Sequence, residues 1–291
     1  MSLNIEKISY TYMKDTPYER QALKDISLTI EKGEFVAIIG HSGSGKSTLV
    51  QHMGGLLHPD TGKVFAEGVD LAGKKKQARF AKSRIGLVFQ YPEHQLFAET
   101  VYEDVAFGPR NFELSEDEVV QRVKEALSFV HLPVAEFGQR SPFQLSGGQM
   151  RRVAIAGVMA MKPDYLILDE PTAGLDPLMK NLFYQEIKDL HKNNPIATIL
   201  VTHSMEEAIE LSDRLLVMSD GQIILDGKPE EIFRKGKDIL KNAGVDVPAI
   251  VSLTDCLRTY GMKIDEDCLS NELLVEQIIQ NLHKGGCADV Q

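Results

Sequence analysis

Apolar residues fall along this chain in two textures: short runs that are apolar throughout or at alternate positions, and longer stretches where they return every third or fourth residue. Ile5 to Tyr12 carry β-branched and aromatic side chains, and Ile26 to Ile30 alternate before a Glu31-Lys32-Gly33-Glu34 turn, so both predict strands. Phe35 to Ile39 is apolar throughout, as a strand covered on both faces must be. A glycine-rich turn follows, then a helical start at Lys46, and Val64–Phe65 and Leu87–Phe89 add short strand candidates. After Tyr91 the spacing becomes helical over Thr100–Phe107, Ser115–His131 and Gly148–Met161. Ser115 and Glu118 have the spacing of a capping box, and Val119, Val123, Ala126, Leu127 and Val130 recur on one helical face. Helices with no strand between them predict a helical subdomain inserted into an α/β core.

The alternating rhythm returns with a strand over Tyr165–Leu168, a helix over Leu178–His191, a strand over Ile196–Thr202 and a helix over Met205–Leu211. Leu215–Met218 and Gln222–Leu225 predict a hairpin across Ser219-Asp220-Gly221. A helical tail follows, with pieces over Pro229–Lys235, Leu253–Tyr260 and Glu272–His283 and a frayed end. The longest apolar runs fall far short of the roughly 18 residues a bilayer-crossing helix needs, so no span is expected. The opening MSLNIEKISY has neither the apolar core nor the cleavage site of a secretory leader. With 42 acidic against 32 basic residues the net charge is -10, a field that opposes non-specific binding to nucleic acid, and no nucleic-acid partner is expected. Cys256, Cys268 and Cys287 match no metal spacing and read as incidental thiols of a reducing compartment.

Two motifs carry chemistry. Gly40-His41-Ser42-Gly43-Ser44-Gly45-Lys46-Ser47-Thr48 fits GxxxxGK[ST] between an apolar strand and a helix. Such a loop curls backbone N–H groups around phosphates at a helix N-terminus, with Lys46 reaching the terminal phosphates and the Ser47 hydroxyl on Mg²⁺. A dinucleotide-binding reading fails, because a lysine-bearing turn stands where GxGxxG would be needed. Leu166-Ile167-Leu168-Asp169-Glu170 ends an apolar strand in two carboxylates: an aspartate suited to hold Mg²⁺ and a glutamate suited to act as base on water.

Between these motifs, Leu145-Ser146-Gly147-Gly148-Gln149 resembles the signature of the ATP-binding-cassette ATPases. Other elements resemble that family's pattern in order. The likeness implies that Tyr12 stacks on adenine, that Gln90 touches Mg²⁺ and the attacking water, and that Ala173-Gly174-Leu175-Asp176 crosses a dimer interface. It further implies that His203 contacts the γ-phosphate, and that Ser146, Gly147, Gly148 and Gln149 of one subunit close over ATP held by the phosphate loop of another. The implied catalytic set is Glu170, His203, Gln90 and Lys46, with Ser47, Gln90 and Asp169 for the metal and ATP with Mg²⁺ as the bound species. The implied fold is α/β: a P-loop NTPase core with an antiparallel β subdomain, an inserted helical subdomain at about residues 92–162, and a C-terminal helical extension over 236–291 beyond a cassette of residues 1–235.

Within the family, Gln90-Tyr91-Pro92-Glu93-His94-Gln95-Leu96-Phe97, the stretch Gly148 to Gly157 and the helical tail resemble the ATPases of energy-coupling factor transporters. The Thr16 to Glu19 insertion and Met150-Arg151-Arg152 resemble the second of that system's two paired ATPases. The likeness implies ATP-powered uptake of vitamins or transition-metal ions, at the cytoplasmic face of a cell membrane. Its implied partners are a second, similar ATPase, a transmembrane coupling protein and a membrane substrate-binding protein, and a homodimer remains chemically possible. An ATPase of another importer is the alternative, and a non-transport ATPase is disfavoured because the chain has neither a coiled-coil insertion nor a second cassette. Phe89, Tyr91, Pro92, Leu96 and Phe97 with Glu93 and Glu99 predict a groove for an amphipathic helix bearing basic residues.

Overall fold

The strand-forming segments assemble into two sheets in the computed structural model, which describes residues 2–73, 76–193, 196–265 and 268–285. β1 (Ser2–Tyr12) and β2 (Arg20–Glu31) pair antiparallel, and β3 (Phe35–Ile39) enters the second sheet with all five residues buried. α1 (Lys46–Met53) follows the glycine-rich turn, and β4 (Thr61–Ala66) and the short β5 (Val69–Asp70) complete a four-stranded sheet of order β2-β1-β4-β5. α2 (Lys76–Ser83) leads to β6 (Ile85–Val88).

The chain next leaves the sheet for α3 (Val101–Asn111), α4 (Glu116–Phe129), the single turn α5 (Val134–Phe137) and α6 (Gly147–Met159). It returns in β7 (Tyr165–Asp169), which lies beside β6 in parallel with Ile85 opposite Tyr165. Two adjacent strands therefore enclose the whole helical excursion. α7 (Pro177–Asn193), β8 (Ala197–Val201), α8 (Met205–Leu211), β9 (Arg214–Ser219) and β10 (Gln222–Gly227) finish a second sheet of order β10-β9-β3-β8-β7-β6. β3, β7 and β8 are buried along their full length, the environment their largely apolar sequences require. The predicted hairpin forms between β9 and β10, with Asp220 and Gly221 both at positive φ (48° and 79°), as a tight hairpin turn demands.

The tail consists of α9 (Pro229–Lys235), α10 (Lys237–Asn242), α11 (Ala249–Thr259) and α12 (Asn271–Gly285). Phe233, Leu240, Val245 and Val251 pack with Ala37, Ile39, Leu215 and Val217, so the tail's first half closes one face of the second sheet. Leu274 is buried in a separate small cluster with Leu257 and Ile278, whereas Leu253, Leu273 and Ile279 are exposed. Val275, Ile279 and Leu282 form an exposed stripe one helical face wide on α12. Cys287 and the expected frayed end lie outside the described residues.

The sequence missed α2, β5, the single turn α5 and α10. Of these, α2 and α10 bury only Ala78, Ala81 and Leu240, too few apolar positions to set a period. The predicted capping box on α4 forms only in part: Ser115 Oγ accepts from the Glu118 N–H, but the Glu118 carboxylate turns to the Arg122 guanidinium at 2.7 Å. The full box forms instead on α6, where Ser146 Oγ and the Gln149 side chain exchange bonds with each other's backbone N–H. None of the described helices is long and apolar enough to cross a membrane.

Candidate active site

Parallel strands in an α/β sheet present their C-terminal ends along one edge, where ligands settle. Here β3, β8, β7 and β6 are neighbours in that order, with Ile38 opposite Val201 and Val201 opposite Asp169. The residues just past their ends are Gly40, His203, Glu170 and Gln90. Four motifs spread over more than a hundred positions thus meet on one rim because the strand order brings them there.

At the β3 end, glycine is obligatory for steric reasons. A Cβ on Gly40 would lie 2.3 Å from the Met218 carbonyl oxygen, and one on Gly45, at φ 107°, would lie 2.6 Å from the Ala22 carbonyl oxygen. Lys46 is only 5% exposed, and its ammonium donates to the carbonyl oxygens of Gly40 (2.7 Å) and His41 (3.0 Å). Burial lowers its pKa, opposed by the nearby Glu170 and Asp169 carboxylates. Burial likewise raises the pKa of Asp169, which a hydrogen bond from Ser47 and the Lys46 charge counteract.

Asp169, the last residue of β7, sits buried beside Ser47, while Glu170 leaves strand geometry at φ 48° and faces the cavity. Its two oxygens are both engaged. The Gln90 amide donates to Oε2 at 3.1 Å, and His203 Nε2 lies 2.6 Å from Oε1. These groups, with Tyr12, Ser42, Gly43, Gly45, Ser47 and Thr48, line a cavity of about 380 Å³. Tyr12 is held there by a 3.3 Å bond between its hydroxyl and that of Thr48 and by edge-on contact with Tyr10. Gly40, His41 and Ser44 shape the loop from behind; Ser44 is fully buried and the His41 ring turns to the Ser42 carbonyl.

Ser146, Gly147, Gly148 and Gln149 do not line this cavity. They begin α6 elsewhere on the molecule, with nothing within 4 Å of a Cβ built on either glycine. The chain therefore carries two accessible helix starts suited to anions, at separate places.

Arg20 escaped the sequence reading. It lines the cavity and donates to the Gly43 carbonyl at 3.2 Å, because the β1–β2 ladder sets it directly opposite Tyr12. The usable signal was its place at the start of the strand that pairs with the one ending in Tyr12.

The groove expected near Gln90 exists, with a volume of about 500 Å³, lined by Phe89, Leu96, Phe97 and Phe107 among others. Its charge pattern differs from expectation. Glu93 is taken by Arg151 of α6 in a two-pronged pair, both bonds 3.1 Å, so it is not free for a basic helix. Tyr91 points out against His94 and Pro92 is buried, while Arg79, Lys82 and Asp104 supply the charges along the groove.

A family model described as ABC transporter matches residues 23–173. The energy-coupling factor transporter ATP-binding protein EcfA2 of Clostridium tetani is 47% identical over 280 residues, covering 96% of this chain and 97% of that protein. The protein of the same name from Symbiobacterium thermophilum is 50% identical over 281 residues, 96% of each. Among solved structures, CbiO1 from Clostridium perfringens, described as part of the ABC transporter complex CbiONQ, superposes with a TM-score of 0.71 at 38% identity, covering 87% of this chain and 98% of that one. A dimeric ATP-binding cassette in a post-hydrolysis state, bound to ADP and Pi, gives 0.69 at 31% identity, covering 78% of this chain and 98% of that one.

Proposed function

The chain belongs to the ABC transporter family, and from that premise we propose that it is the ATP-hydrolysing subunit of an energy-coupling factor transporter, powering uptake of a vitamin or a transition-metal ion. The observation that carries the reading is the row of Lys46, His203, Glu170 and Gln90 along adjacent strand ends, around one cavity. Lys46 and His203 would neutralise charge growing on the γ-phosphoryl oxygens, and Glu170 would take the proton of the attacking water. Gln90 and His203 hold the Glu170 carboxylate from both sides, which fixes where that proton can go.

The donor set fits Mg²⁺ that arrives with the nucleotide. Among the described residues no group of three or more His, Cys, Asp and Glu side chains is arranged to hold a metal alone. One carboxylate (Asp169), one hydroxyl (Ser47) and one amide (Gln90) leave room for phosphate and water oxygens, as Mg²⁺ prefers. When bound, the ion would offset the charge of the β- and γ-phosphates.

The exposed start of α6 lies outside its own chain's cavity, which supports a site completed by a second subunit. That subunit's Ser146-Gly147-Gly148-Gln149 counterpart would cap the ATP, and ours would cap the partner's. The groove beside Gln90 would seat a helix of the transmembrane coupling protein, and a separate membrane protein would bind the cargo. We take the partner to be a similar but non-identical ATPase. Co-expressing the chain with the coupling protein and the second ATPase, then weighing the intact assembly by native mass spectrometry, tests this directly. The expected particle holds one copy of each ATPase. An active particle with two copies of this chain, undisplaced by the second ATPase, would defeat the mixed pairing.

The exposed Val275, Ile279 and Leu282 stripe supports contact with the partner's tail. Ile279→Asp leaves the buried Leu274 cluster intact, so the fold should persist. Sedimentation is expected to show weaker pairing chiefly without nucleotide, when ATP cannot bridge the subunits. Equal association of both proteins under that condition would exclude the contact.

A further inference from the structure

β8 ends at Val201, and the turn that follows presents His203 between two pinned neighbours. Ser204 caps α8, its hydroxyl accepting from the Glu207 N–H at 3.3 Å. Ser204 and Glu207 have the spacing of a capping box, in which the glutamate should reach back to the Ser204 N–H. It does not. The Ser204 N–H donates to Thr202 Oγ1 at 3.0 Å, and the Glu207 carboxylate turns inward, where the residue is only 8% exposed.

There it gathers donors from separate segments. Thr202 Oγ1 donates to Glu207 Oε2 at 2.5 Å, and the Tyr184 hydroxyl of α7 donates to the same oxygen at 2.6 Å. The Lys180 ammonium, one turn beyond Asp176, pairs with Oε1. Because Tyr184 spends its only proton on Glu207, its 2.9 Å contact with Thr172 must run from the threonine hydroxyl to the phenol oxygen. Burial and the neighbouring carboxylate raise the Tyr184 pKa, which keeps that proton in place. Thr172 lies two residues past Glu170, in a turn closed by the Ala173 N–H on the Glu170 carbonyl at 3.2 Å. A continuous chain of hydrogen bonds thus runs from the turn behind Glu170 to the residue before His203, and every proton in it points toward Glu207.

We propose that Glu207 is a positioning residue for hydrolysis: its carboxylate locks the His203 turn to the Thr172–Asp176 segment and so fixes the spacing of His203 and Glu170. The proposal rests on the hydrolytic reading above. It draws on a carboxylate's capacity to accept without donating. Glutamine at this position would turn its own N–H₂ toward the Lys180 ammonium or toward hydroxyls whose protons already point inward. Tyr184→Phe is milder: it removes the Tyr184 bond to Glu207 and with it the link to Thr172, but leaves Thr202 and Lys180 on the carboxylate.

The test is steady-state ATPase kinetics, with thermal unfolding alongside, on the full chain in the complex it purifies with. Glu207→Gln is expected to lower kcat about 10-fold or more with the KM for ATP unchanged, since the loss is one of geometry between reacting groups. Tyr184→Phe and Thr172→Val should each lower kcat, and the double variant should be no slower than the slower single, because both cut the same link. If Glu207→Gln does not fold, the Tyr184 and Thr172 pair decides the matter alone. Normal turnover in the unmodified complex with unchanged kcat in the variants, or losses that multiply in the double variant, would overturn the positioning role only. Absence of turnover in the unmodified complex would overturn the hydrolytic reading and this role with it.

Discussion

Replacing Glu170 with glutamine is expected to cut ATP turnover by about two to four orders of magnitude, the usual span for removing a general base. ATP affinity should hardly change. Glutamine keeps the volume and leaves an oxygen that can still accept from Gln90 or His203, so the cavity wall survives. The loop geometry survives too, because φ 48° at position 170 is held by the backbone bond from the Glu170 N–H to the Val201 carbonyl at 3.0 Å. Only proton acceptance disappears. Turnover measured by phosphate release, beside equilibrium ATP binding, separates the two quantities. Turnover near that of the unmodified protein would remove Glu170 from the role of base.

Lys46→Ala should show the opposite pattern, with nucleotide binding weakened directly. A charge-assisted hydrogen bond contributes about 1.5–3 kcal/mol, so ATP affinity is expected to fall roughly 10- to 150-fold. The ammonium is pre-positioned by the Gly40 and His41 carbonyl oxygens, so little side-chain freedom is lost when phosphate arrives. Its loss would also strip the Asp169 and Glu170 carboxylates of their nearest buried cation. Titration calorimetry on both variants checks the contrast: equal dissociation constants for Lys46→Ala and Glu170→Gln would contradict the division of roles.

The reach of the sequence can be judged residue by residue. The phosphate loop and the Asp169-Glu170 pair were legible because each is contiguous and flanked by an apolar strand whose burial leaves no choice of structure. The hairpin at Asp220-Gly221 was legible for a similar local reason. What the sequence could not convey was pairing across the fold. Arg20 reaches the cavity through strand register, and Glu93 is neutralised by an arginine 58 residues away. Glu118 and Glu207 both stand at capping-box spacing, yet in each case a competing partner claims the carboxylate. Local spacing offers a side chain its nearest option, and tertiary contacts decide whether that option is used. The accessible start of α6 is the reverse case: its motif was plain, but only the fold shows that it lies outside its own chain's cavity.

That separation makes the composite site the central claim. Its most direct test is to weigh the Glu170→Gln chain with its ATPase partner, by native mass spectrometry, with and without ATP and Mg²⁺. Two subunits joined chiefly when nucleotide is present, with ATP retained at the Glu170→Gln site of the pair, is the predicted result. Single subunits each retaining one ATP, with no gain in association, would contradict it.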